Sequence, residues 1–170
     1  MIRAAYVQTM ARYNVWENQQ LTDAVQGLSQ DVLDADRGAF FGSMFATMNH
    51  LLWADGMWMS RFDPAHVNPP AVAASDHKTL TPNLDVWMAE RVVMNAAIVD
   101  WAGRLTDDAL EGDLSWHSGL LNMDVTKPLA LCVTHMFNHQ THHRGQLHQM
   151  LSELGKETPV SDLIFLPEEA

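Results

Sequence analysis

Residues 128–155 read PLALCVTHMFNHQTHHRGQLHQMLSELG, and this stretch decides the fold. The helix is expected to start near Thr126 to Pro128. Gly155 stands where a helix ends, since it adopts a left-handed cap without strain. At about 100° per residue, Leu129, Val133, Met136, Leu147, Met150, Leu151 and Leu154 fall on one apolar arc. The spacing predicts one long amphipathic helix. His143 falls inside the arc and His139 at its edge, whereas His135 lies further round and His142 further still. His139 and His143 are therefore expected to face the interior, and His142 to face solvent.

Three more long segments have helical periodicity. In residues 2–28, Tyr6, Met10, Tyr13, Leu21 and Leu28 recur at helical spacing, with Trp16 nearby. Residues 43–62 open with Ser43 as a cap and close before Pro64. Met44, Phe45, Met48, Leu51, Leu52, Trp53, Met57, Trp58 and Met59 make this segment apolar on almost every side, as in a central helix or one at a subunit interface. Residues 81–105 open at Thr81-Pro82, with Thr81 as the expected cap, and carry Leu84, Trp87, Met88, Val92, Met94, Ile98 and Trp101. The connection 63–81 is long, with Pro69-Pro70 stiffening it; a loop of this length needs order of its own or a purpose. A short helical turn is expected at 106–110 and a small hairpin at 112–126 around Ser118-Gly119. The tail DLIFLPEEA is expected to pack back on the helices. The expectation is an all-α, single-domain four-helix bundle over residues 1–170, with long crossover connections and a hairpin before the last helix.

Bulk composition narrows the function. The 170 residues suit one core. The formal net charge is −11, with scattered basic residues, which argues against nucleic acid as a partner. No apolar run suits a membrane span, and the start, MIRAAYVQTMARYNVW, lacks the features of a secretory signal. One cysteine, Cys132, fits a reducing compartment, so a cytoplasmic location is expected. There are nine histidines, four of them between His135 and His143.

Residues four apart on a helix stack on one face, so His139 and His143 can point two imidazoles at one ion. HExxH enzymes place their paired zinc ligands at the same spacing. A catalytic site of this type usually has three protein ligands and one open position. The third must come from another helix, and His50 is the strongest candidate: it sits mid-helix among Met48, Leu51 and Leu52, where a solitary ring is costly to bury. His66, His77 and His117 fall in expected loops and rank lower. All-histidine ligation suits a divalent Zn, Ni, Fe or Cu ion. A histidine beside a core is also commonly satisfied by hydrogen bonding alone, which leaves an ordinary bundle as the competing reading.

Three blocks carry a family resemblance: Tyr13-Asn14-Val15-Trp16-Glu17-Asn18 followed by Leu21; Asn49-His50-Leu51-Leu52-Trp53-Ala54-Asp55 followed by Trp58; and His135, Asn138-His139 and His143-Arg144-Gly145-Gln146. On these the chain resembles the DinB-like superfamily of metal-dependent bundles. The resemblance implies metal ligands at His50, His139 and His143, with His135 a frequent family histidine outside the principal set. It also implies homodimers, with which the apolar second helix is compatible, and no contact with DNA. Relatives in the wider superfamily use a metal to activate a low-molecular-weight thiol for S-transfer or isomerisation.

Two functions stand open. In one, a metal-dependent enzyme activates water or a small thiol; in the other, the protein binds metal without turnover, as a stress-related module. No general base stands out. Asp55 points about 140° away from His50 and is expected to pair with Arg144. Gln146 lies close to the histidine face and can orient a ligand ring. Trp53, Trp116 and His117 are candidates for the pocket mouth.

Overall fold

The first helix, α1 (Ala4–Val25), starts at a backbone N–H that the Asp107 carboxylate accepts at 2.8 Å. It stops short of the expected residue 28 because Gly27 turns the chain at φ 85°. Ser29 then caps a separate short helix, α2 (Gln30–Asp34), its side chain accepting from Val32 N. Ser43 caps α3 (Met44–Phe62) as the sequence predicts, accepting from Ala46 N at 3.1 Å. The next helix, α4 (Leu84–Arg104), is capped by Asn83 and not by Thr81. Thr81 is buried instead, and its hydroxyl donates to Asn49 Oδ1 at 2.7 Å. Strands β1 (Asp113–Ser118) and β2 (Met123–Pro128) form an antiparallel hairpin with Trp116 opposite Val125. The last helix, α5 (Leu129–Glu153), ends on Gly155 at φ 64°, with Lys156 N donating to Leu151 O and Gly155 N to Ser152 O.

This computed structural model describes residues 1–119 and 121–168 and is mostly helical, with one small two-stranded sheet. Leu120 of the expected hairpin and residues 169–170 of the tail lie outside the described residues. Helix α1 packs on α4 and α5, and α3 packs on the same two helices and on α2. The interior splits into two apolar clusters. Val7, Tyr13, Met59, Ile98 and Phe137 anchor one; Leu21, Met48, Leu51, Trp87 and Leu147 anchor the other. The apolarity of α3 is accounted for by this interior, where Met44, Met48, Leu51, Leu52 and Met59 are buried. Tyr6, expected on the inner face of α1, is partly exposed, and among the described residues of the tail Leu166 packs against the core while Ile164 and Phe165 stay in solvent. No described helix is long and apolar enough to cross a membrane.

The long connection has the order that its length demands. It carries a 3-10 turn, His77–Thr79, that packs on α3. Asn49 clasps it: the amide donates to Lys78 O at 3.1 Å and to Thr81 O at 3.4 Å, and the carbonyl accepts from Thr81 N and Oγ1. Trp53 Nε1 donates to Val72 O at 3.0 Å. At Gly56 a Cβ would stand 3.0 Å from Pro70 Cγ, so the proline stretch lies directly on the helix backbone.

Candidate metal centre

Midway along α3 and α5, three rings converge. His50 comes from α3, and His139 and His143 from consecutive turns of α5. One nitrogen of each lies within 4.8 Å of the others. His50 Nε2 and His139 Nε2 are 3.0 Å apart, and the His139 and His143 ring centroids 4.4 Å apart. Tetrahedral bonds of about 2.0–2.1 Å would set ligand nitrogens about 3.3 Å from one another. The donor set therefore fits a single transition-metal ion with small adjustments. His142 is exposed, as the helical wheel predicts.

Electrostatics keep these rings neutral. Burial pushes His50 down to about 3, with repulsion from His139, His143 and His77 adding to it. Burial likewise pushes His139 down to about 4, opposed in part by the Asp55 carboxylate. His143 is lowered by burial, against a hydrogen bond with Gln146 that raises it. At neutral pH each ring keeps one nitrogen lone pair, the form a metal requires.

A surrounding layer aims the rings. His143 Nδ1 donates to Gln146 Oε1 at 2.7 Å, which leaves Nε2 as the free lone pair. His50 Nδ1 lies 3.1 Å from His77 Nδ1. The Phe41 ring lies 4.1 Å from His50 and 5.2 Å from His143, measured between centroids, and covers one side of the cluster. Below it, Asp55 accepts from Gln140 Nε2 at 2.8 Å and from Arg91 Nη1 at 2.6 Å, all three side chains being buried. This corrects the expected Asp55–Arg144 pair. Arg144 turns to α1, where Nη1 donates to Asn14 Oδ1 at 2.6 Å and Nε stands 3.6 Å from Glu17. Gln140 and Arg144 lie four residues apart, so about 6 Å of rise and about 40° of rotation along α5 separate them and give them different neighbours.

The remaining candidates are arranged around this core. His135 is exposed, its ring 5.9 Å from His139 and 5.3 Å from Trp58. Trp116 meets Trp58 edge to face at 5.6 Å, so its link to the cluster runs through Trp58 and His135. Trp53 meets His77 at 5.8 Å. His117 pairs with Asp124 on the exposed hairpin, and His66 with Asp63.

Two residues at the site lay beyond the sequence reading. His77 ranked low as a loop residue, and the only signal for it was the length of the loop. Phe41 carried no signal, since it sits between helices without periodicity.

The model of the DinB family matches residues 1–170. Protein DinB of Bacillus subtilis (strain 168) is 23% identical over 153 residues, which cover 88% of this chain and 87% of that relative.

Proposed function

This chain belongs to the DinB family, and from that premise we propose that it is a single-domain four-helix bundle holding one divalent transition-metal ion on His50, His139 and His143. The observation that carries this reading is the meeting of three neutral imidazoles, with nitrogens inside 4.8 Å, from two separate helices. Zinc or nickel suits the all-nitrogen set best, and iron and copper are compatible with it. A metal on three protein ligands supplies a Lewis acid that lowers the pKa of water or of a low-molecular-weight thiol. The chain's own residues do the rest. Gln146 holds the proton at His143 Nδ1, His77 abuts the far nitrogen of His50, and Phe41 excludes water from one side.

On this reading the protein is a metal-dependent enzyme of the thiol-transferase or hydrolase type. One observation favours a second reading, a metal-binding module without turnover: among the described residues the candidate ligand group holds only histidines, and the nearby Asp55 carboxylate is already engaged by Arg91 and Gln140. Elemental analysis of protein purified without a nickel column separates both from an ordinary bundle, and we expect about one ion per chain. His50→Ala, His139→Ala and His143→Ala should each abolish binding and His142→Ala should not. Metal-free wild-type protein would remove both readings. Consumption of glutathione, bacillithiol or mycothiol with an electrophilic co-substrate then separates enzyme from binder.

The chain is proposed to act as a homodimer in a reducing cytoplasm. Support comes from buried, unpaired Cys132 and from the solvent face of α4, where Val86, Val92, Val93 and Val99 are exposed together. Light scattering should return twice the 19.1 kDa chain mass, and Val93→Glu should return the single chain.

A further inference from the structure

From the histidine cluster a wall of rings runs along the seam between α3 and α5. His139 adjoins His135 at 5.9 Å, His135 adjoins Trp58 at 5.3 Å, and Trp58 adjoins Trp116 at 5.6 Å. At the end of the wall stands Arg61. Its guanidinium carbon lies 4.9 Å from the centroid of the Trp58 ring and 5.3 Å from that of Trp116. The hairpin contributes Trp116, so the clamp closes only when β1 comes against α3.

Arg61 differs from the arginines that have protein partners. Buried Arg91 and exposed Arg104 each have an aspartate, buried Arg144 faces Glu17, and half-buried Arg37 donates to Val32 O. Arg61 has no carboxylate and no hydrogen-bond acceptor among the described residues, although the protein carries a net charge of −11. A guanidinium held over aromatic faces is attracted by their quadrupoles, yet its in-plane N–H groups gain no acceptor. The in-plane fork matches a carboxylate in two parallel hydrogen bonds. The two indoles also fix the side chain in advance, which reduces the ordering cost of binding.

We propose that Arg61, clamped by Trp58 and Trp116, is a carboxylate-binding subsite that selects the substrate of the metal centre. Arg61 follows His50 by three turns of α3, about 16 Å along the axis. The substrate class is therefore elongated: a carboxylate at one end, a flat or apolar middle against Trp58 and His135, and the reacting group at the other end near the three histidines. The link to a reaction rests on the metal-centre reading above; the subsite itself stands without it.

The test uses the full chain loaded with metal and two probes of the same length, 4-phenylbutyrate and 4-phenylbutyramide, followed by tryptophan fluorescence and calorimetry. The carboxylate should bind at least about tenfold more tightly than the amide. Arg61→Gln should remove that preference while leaving metal content and amide binding unchanged. Trp116→Leu, on the hairpin, should weaken carboxylate binding in the same direction, and serves if Arg61→Gln does not fold. In metal-free His139→Ala protein the carboxylate should still bind, because the subsite holds it and the ion does not. Equal affinity for the two probes, an unchanged preference in Arg61→Gln, or loss of carboxylate binding in His139→Ala would each overturn the proposal. Failure of the metal reading alone leaves the His139→Ala result as expected and shows instead as absent metal.

Discussion

His143 Nδ1 sits 2.7 Å from Gln146 Oε1, one turn further along the same helix. The amide oxygen accepts the ring proton, so the tautomer of His143 is set within α5 and does not depend on neighbouring helices. Gln146→Leu keeps the helix and the ring but removes the acceptor. We expect metal affinity to fall about 10–100-fold, read by competition with a chromophoric chelator, with the helical signal unchanged. Affinity equal to wild type would show that the contact does not orient the ring.

His77 stands against His50 Nδ1 from outside α3, held there by the Asn49 clasp. If it orients His50, His77→Ala weakens the ion about tenfold without releasing it, and Asn49→Ala acts in the same direction by freeing the loop. Complete loss of metal in His77→Ala would instead make His77 a ligand.

Asp55 and Arg91 form a pair with side chains 2% and 3% exposed, and Gln140 completes it. Removing one partner leaves a stranded buried charge. Asp55→Ala should therefore cost about 3–5 kcal/mol in urea unfolding of the metal-free protein, whereas the charge-free double variant Asp55→Leu, Arg91→Met should recover most of it. Equal losses in the single and double variants would contradict this account.

Acid should loosen the metal-free protein. His50 titrates at about 3 and His139 at about 4 in the fold, against about 6.5 in an unfolded chain. Between those limits the unfolded state binds more protons, so stability is full above about pH 6.5 and is lost as pH falls toward 4. Glu17, raised by burial, works in the opposite direction as pH falls, so the midpoints are compared in Glu17→Gln protein over the window from pH 7 to 5. Urea midpoints that stay flat across it would mean the rings are not buried neutral. Metal binding needs the same neutral rings, so affinity should fall over the same acid range.

Local chemistry made much of the molecule legible in sequence. Ser43 as a cap, Gly155 as a stop and the arc containing Leu147 and Met150 each state their role through residues a few positions away, which is why α3 and α5 could be read directly. The pairing of His139 with His143 is of the same kind, because helical spacing alone puts both on one face. The hairpin was legible from its alternation and its turn residues, although not its purpose.

What only the tertiary structure decided are contacts between elements far apart in the chain. The Asp55 carboxylate meets Arg91 from α4, and Arg144 meets Asn14 from α1; both choices depend on how α1, α3, α4 and α5 are rotated against each other, a global packing outcome no short window encodes. His77 and Phe41 reach the site on irregular segments, where there is no period to read. The sequence by itself determined which side chains share a helix face, because helix geometry repeats every few residues. Which faces meet was left to the three-dimensional fit of the core, because burial acts on the whole chain at once.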